Sequence, residues 1–235
     1  MSEHRLLPRD WNAHPPFLYK DYKSTVRRAP SKPLVPIPQT LSELSGPVFG
    51  HEAIGELDND LTRNGITIGP PHGERIIVTG RVIDESQRPV CGALVEVWQT
   101  NAAGRYRHTI DQHDVPIDPN FFGAGRCLTD DQGCYRFTTV RPGAYPWRNH
   151  TNAWRPAHIH FSLFGVGIIS RLVTQMYFPG DPLLCLDPVL NSVPDEAARR
   201  RLVADFSLDA TQPEFALGYQ FDIVLRGPDR TPMEA

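Results

Sequence analysis

From Arg75 onward the sequence is written as short apolar runs separated by turn residues, and this limits the fold more than any other property. Residues 75–84, 93–99, 134–139, 158–163, 172–178 and 219–225 are rich in β-branched and aromatic side chains. In the last run Tyr219, Phe221, Ile223 and Leu225 alternate with Gln220, Asp222 and Val224, as in a strand with one face on a core. Turn residues punctuate the runs at 85–89, which ends on Pro89, and at Asp130-Asp131-Gln132-Gly133. Short strands with such turns predict a mainly β chain folded as a β-sandwich. A helix is expected over 195–206, with Ser192 as its cap and Pro194 in the first turn.

Residues 1–72 read differently. Proline and charge dominate, with Pro15, Pro16, Pro30, Pro33, Pro36 and Pro38, and only residues 40–44 suggest a short helix. Trp11, Phe17, Tyr19 and Tyr22 supply more aromatic surface than a solvated tail carries. An extended arm that gains order against a partner is therefore expected, followed by a β-sandwich catalytic domain over 73–235. Apolar residues make up 40% of the 235, enough for a core, and the net charge of −3 gives no reason to expect nucleic acid or an anionic membrane. No run approaches eighteen apolar residues, and Met1-Ser2-Glu3-His4-Arg5 lacks the apolar region of a signal peptide. A cytoplasmic protein is expected. Cys91, Cys127, Cys134 and Cys185 show no C-x-x-C spacing and are read as reduced thiols, with a disulfide left open.

The chemistry concentrates around His158-Ile159-His160. On a strand the two imidazoles share one face, while Ile159 and Phe161 turn toward the core. Two tyrosines lie nearby in sequence, Tyr106 and Tyr145. Phenolate is a hard anionic donor, and a phenol with an ordinary pKa of about 10 ionises at neutral pH only beside a strong positive charge. Fe(III) supplies that charge. Two phenolates and a hydroxide would balance it, and two neutral histidines would complete the shell. Zinc is the rival, recruiting His108, His113 or His150 as a third imidazole, because no histidine follows His160. The bland reading is a strand with two polar positions.

The runs around these residues carry a resemblance. Leu94-Val-Glu-Val-Trp98-Gln-Thr-Asn101, Gly104-Arg-Tyr106-Arg-His108, Asp118-Pro-Asn-Phe121, Pro142-Gly-Ala-Tyr145-Pro-Trp147-Arg-Asn149 and Trp154-Arg-Pro-Ala-His158-Ile-His160-Phe161 resemble the intradiol ring-cleaving dioxygenases. The likeness extends from about Tyr19 to Gly227 and is nearest to the branch that acts on protocatechuate. It implies a non-heme Fe(III) cofactor held by Tyr106, Tyr145, His158 and His160. It also implies that Arg155 sits over the bound ring, with Gln175 close by, and that Trp147 forms a pocket wall. Tyr22 and Trp98 match further pocket positions, and Val189 stands where a small apolar wall is expected. Arg148 is read as a surface ion pair. Tyr135, Tyr177 and Tyr219 lie outside the motifs and are read as packed aromatics with hydrogen-bonded hydroxyls.

The implied substrates are a small aromatic diol and O2. The implied reaction is cleavage of protocatechuate to 3-carboxy-cis,cis-muconate, with Tyr145 accepting a diol proton and Arg155 facing negative charge on the ring. The implied assembly is a hetero-oligomer with a homologous α chain that lacks the iron ligands. Catechol or hydroxyquinol cleavage is the alternative within the family, although those relatives usually carry a helical N-terminal region. A zinc-binding or non-catalytic β-sandwich is the non-enzymatic alternative.

Overall fold

The computed structural model describes residues 12–35, 51–65, 68–149, 154–165, 168 and 171–234. Its strands are β1 (Arg75–Ile83), β2 (Leu94–Trp98), β3 (Ala124–Leu128), β4 (Cys134–Val140), β5 (Tyr145–Pro146), β6 (Trp154–Arg155), β7 (His158–Phe164), β8 (Leu172–Tyr177), β9 (Asp205–Phe206), β10 (Leu217–Gln220) and β11 (Ile223–Val224). The α-helices are single turns: α1 (Thr25–Arg28), α2 (Pro188–Asn191) and α3 (Glu196–Arg200). Among the described residues no helix is long and apolar enough to cross a membrane.

Two sheets form the expected sandwich. In the first, β4 runs antiparallel along one edge of β1, and β10 then β11 run parallel along the other edge in one continuous register. The antiparallel β9 closes that sheet beyond β10. The second sheet is antiparallel throughout, in the order β3-β2-β7-β8. A two-stranded ribbon, β5 with β6, stands apart. Between the sheets Ile76, Val78, Val82, Phe137, Phe221 and Ile223 meet Val95, Val97, Ile159, Phe161, Leu163 and Met176, all buried. Each such side chain contributes roughly 1.5–3 kcal/mol by leaving water. Because Ile159, Phe161 and Leu163 face this core, the pleat sends His158, His160 and Ser162 to the outer face of the second sheet.

The run 219–225 is not one strand. Phe221 still donates its N–H to Thr79 O, but its carbonyl accepts the Tyr135 hydroxyl, and the ladder is interrupted between β10 and β11. Gly80 lies beneath that carbonyl, where a Cβ would come within 1.9 Å of the oxygen. The expected helix over 195–206 is also shorter. Asp195, not Ser192, caps α3, accepting from the N–H groups of Ala197 and Ala198. Ser192 instead follows α2 and donates to Val189 O at 2.7 Å. The helix stops at Arg200 because the following residues pair with the end of β8: Tyr177 donates to Leu202 O and Ala204 to Tyr177 O.

Much of the N-terminal segment is tied to the sandwich. Leu61 is fully buried in the core, Leu61 N–H donates to Thr138 O, and Asp58 pairs with Arg126 at 2.7 Å. Asn12 O accepts from Asp195, and Asn149 O accepts from Lys23. Phe17, Leu18, Val26, Leu34 and Val35 are exposed. Trp11, Pro36, Pro38 and the helix expected over 40–44 lie outside the described residues. All four cysteines are free, and burial pushes the Cys127 thiol up to about 11.

Candidate metal centre

The floor of the site follows from strand register. On the outer face of the second sheet Trp98 of β2 stands opposite His160, Gln175 of β8 opposite His160 on its other side, and Tyr177 opposite His158. The Trp98 and His160 rings stack at 4.8 Å with planes 3° apart. The tyrosines arrive from above. Tyr106 sits on the loop after β2, which Asn101 braces through Ala103 N–H, Arg105 N–H and Pro116 O, and Asp111 accepts the Tyr106 N–H at 2.8 Å. Tyr145 is held on β5, paired across the ribbon with Arg155. Gly104, at φ +82°, lets the two chain segments meet, since a Cβ there would lie 2.0 Å from Ala144 O.

Four donors converge at this point. Tyr106 Oη lies 3.1 Å from His160 Nε2, and Tyr145 Oη lies 3.5 Å from His158 Nε2. The phenol rings meet edge to face at 5.5 Å and the imidazoles at 4.9 Å. Pro156 O, which can only accept, lies 2.8 Å from His158 Nδ1, so that nitrogen carries the proton and Nε2 is left bare. His160 Nδ1 lies 3.2 Å from a Glu234 carboxylate oxygen, which likewise places a proton on Nδ1 and turns Nε2 toward Tyr106. Burial pushes the Tyr106 phenol well above its ordinary range, with Tyr145 adding to it. It also raises the Tyr145 phenol, which Arg155 opposes. His158 is held well below its usual range by burial and then by the charge of Arg155. Two neutral phenols therefore face the Nε2 atoms of the two imidazoles. Neighbouring donors about 3 Å apart suit one first-row metal bound at about 2.1 Å, and the donor types suit a hard trivalent ion.

A cavity of about 800 Å³ opens over the donors, walled by Trp98, Tyr106, Tyr145, Trp147, Arg148 and His160 among others. A second hollow of about 570 Å³, on the side of Trp98 toward Glu96 and Arg126, contains none of the four donors. His108 and His113 stand on the cavity wall but turn to the backbone, at Ile110 N–H and Gly104 O. No group of three or more His, Cys, Asp or Glu side chains suited to a metal exists among the described residues, and His150 lies outside them. The phenols are what make the set complete.

Arg155, expected over the bound ring, is 2% exposed and lies behind the residues that line the cavity, against Trp147. Its guanidinium donates to both carboxylate oxygens of Asp187 at 3.1 and 2.8 Å, to Gln175 Oε1 at 2.7 Å and to Tyr177 Oη at 2.9 Å. It passes 5.2 Å from the Trp147 ring and 3.2 Å from His158 Nε2. Asp187 stays below the ordinary carboxyl range: burial alone would raise it, but Arg155 outweighs that. Tyr22 packs edge-on against Trp147 at 5.0 Å, behind the wall. Val189 is buried in α2, beside Asp187, and does not line the cavity. Arg148, expected in a surface ion pair, is exposed on the cavity wall and makes no ion pair among the described residues.

Two polar residues that sequence reasoning passed over, Asp187 and Glu234, and one it read as a packed aromatic, Tyr177, belong to this assembly. Asp187 and Tyr177 hold Arg155, and Glu234 meets His160. Tyr177 has the hydrogen-bonded hydroxyl expected of a packed aromatic, but its partners are Arg155, Gln175 and Asp187. No motif or spacing signals Asp187 or Glu234.

Comparison with known proteins gives a consistent family. A dioxygenase family model matches residues 44–227, and a model of the protocatechuate 3,4-dioxygenase β subunit N terminus matches residues 7–40. The protocatechuate 3,4-dioxygenase β chain of Burkholderia cepacia is 62% identical over 229 residues, covering 97% of each chain. The α chain from the same organism is 33% identical, covering 82% of this chain and 95% of its own length. In fold alone, the chain is similar to 3-chlorocatechol 1,2-dioxygenase from Rhodococcus opacus 1CP, with a TM-score of 0.55 at 23% identity over 73% of this chain and 66% of that one. With most of its length matched in these ways, the chain belongs to the intradiol ring-cleaving dioxygenase family.

Proposed function

We propose that this chain is the metal-bearing catalytic chain of an α/β enzyme that cleaves protocatechuate between its hydroxylated carbons. The product is 3-carboxy-cis,cis-muconate, with one oxygen atom of O2 in each new carboxylate. The observation that carries this reading is the convergence of Tyr106, Tyr145, His158 and His160, three of which, Tyr106, Tyr145 and His160, line an open cavity. Likeness to the Burkholderia cepacia β chain along nearly the whole length supports the substrate. Bound by those four residues, Fe(III) supplies the charge that ionises both phenols and the Lewis acidity that favours the diol as its dianion.

The protein's own groups divide the remaining work. Tyr145 takes a proton from a diol hydroxyl. Its oxygen has the longer contact, 3.5 Å, and it rides on a two-residue strand. Tyr106 stays in place, since its oxygen is 3.1 Å from His160 and its N–H is tied to Asp111. Arg155 keeps its charge in a dry setting because Asp187 is paired to it, and it faces negative charge that develops on the ring. Gln175 orients that guanidinium. Trp98 and Trp147 bound the space for the aromatic ring.

The test is to co-express the chain with an α partner, then measure iron content, visible absorption and O2 uptake. Iron in equal proportion to this chain, a tyrosinate-to-iron band and fastest turnover on protocatechuate are expected. Colourless, zinc-loaded protein that stays inactive after reconstitution with iron overturns the reading. Faster turnover on catechol or hydroxyquinol moves the substrate to a sibling activity.

A further inference from the structure

His158 and His160 have different partners on their far sides. His158 donates to a neutral backbone carbonyl, whereas His160 meets a carboxylate. That carboxylate is placed with care. Thr174 Oγ1 donates to Pro232 O at 2.7 Å, and Glu234 N–H donates to Val173 O at 2.7 Å, so the backbone is anchored to β8 at both positions. Between them Met233 N–H donates to His14 Nδ1 at 3.1 Å, and the Met233 side chain packs against the core. The Glu234 side chain is 22% exposed and its Oε2 lies 3.2 Å from His160 Nδ1. Trp98 already sets the plane of the His160 ring by stacking. Glu234 sets what stacking cannot, namely the rotation within that plane and the nitrogen that bears the proton.

Resting on the iron reading above, we propose that Glu234 is a positioning residue. It holds His160 with Nε2 bare, and its negative charge makes His160 the stronger donor of the two imidazoles, favouring the ferric over the ferrous ion. A carboxylate behind a ligating histidine has this effect in general, and its loss costs about 10–100-fold in metal affinity or activity.

Two variants in the complete complex with the α chain separate orientation from charge. Glu234→Ala removes both, and chelator competition should show iron affinity lower by about 10–100-fold. Glu234→Gln keeps an oxygen that accepts from Nδ1 but removes the charge. Its iron affinity should stay within a few-fold of wild type. Its reduction potential should rise and its tyrosinate-to-iron band should move to lower energy. Glu234→Gln carries the decision, because a merely structural role would change melting temperature alone. Wild-type band and potential in that variant overturn the proposal, whatever Glu234→Ala does. Wild-type protein without iron would instead overturn the metal reading on which the proposal rests.

Discussion

Arg155 and Asp187 form a pair with almost no exposed surface, so removing one partner strands the other. Arg155→Leu should lower stability by about 3–5 kcal/mol, because Asp187 is then a buried, unpaired carboxylate. Adding Asp187→Asn removes that charge and keeps a side chain able to cap α2, so the double variant should regain most of the loss on chemical denaturation. Turnover should not return with it. A buried cation opposite developing negative charge is worth about 3 kcal/mol, roughly two orders of magnitude in rate, and the double variant still lacks it. Both variants should keep the iron colour. Restored turnover in the double variant would reduce Arg155 to a structural role. The proximity of Tyr145, Arg155, His158 and His160 was legible in sequence because they stand within one short stretch, whereas Tyr106 lies well upstream and the roles of all five rest on the family resemblance. Asp187 and Glu234 were not. They reach the site through the path of the chain, 32 residues beyond Arg155 and 74 beyond His160. An isolated acidic residue in a turn or beside a chain end carries no pattern.

Alternation is a local property, and the elements that depend on it alone were readable. The strands expected near 75–84, 93–99, 134–139, 158–163 and 172–178 appear as β1, β2, β4, β7 and β8 within a residue or two. Elements decided by distant partners were not. β3, Ala124–Leu128, has a glycine as its second residue and no clear alternation, and it exists because β2 pairs with it. The helix over 195–206 lost its second half to pairing with the end of β8. The interruption between β10 and β11 belongs to the same class, set by Tyr135 and Gly80 on neighbouring strands. It gives a sharp prediction. In Gly80→Ala the new methyl meets the Phe221 carbonyl, a backbone atom that can withdraw only by giving up its Tyr135 hydrogen bond. The substitution should cost about 3 kcal/mol, at the upper end for overpacking, read as a lower denaturation midpoint. Tyr135→Phe loses the hydrogen bond without the clash and should cost about 1–3 kcal/mol, since the carbonyl is left buried. A fully stable Gly80→Ala protein would show that the strands can part there freely.

At the scale of the whole molecule, the N-terminal segment is where a second chain is expected to bear. Its residues 12–35 touch the sandwich at a few points, through Asn12, His14, Tyr22 and Lys23, yet leave Phe17, Leu18, Val26, Leu34 and Val35 exposed. Apolar side chains gathered on an extended segment, with little periodicity of their own, gain from burial only against a second surface. The segment also reaches the catalytic region, since Tyr22 backs Trp147 and His14 accepts from the Met233 N–H next to Glu234. A partner that covers the arm would therefore bear on the pocket wall from behind. The α chain is the expected partner, and an obligate interface of this kind should exceed roughly 2,000 Å². Produced alone, the chain should aggregate or lack activity on protocatechuate. Produced with the α chain, it should sediment as a larger species with equal amounts of both. Deleting residues 1–35 should abolish co-purification, while the sandwich should still fold: among the described residues up to 72 its main core draws on Leu61, and the deletion takes from the smaller cluster beside Tyr177 only the small side chain of Ala13. Circular dichroism and a cooperative thermal transition of the deleted form would separate lost assembly from lost folding. A soluble, fully active monomer free of any second polypeptide would refute the partner and with it the role of the arm.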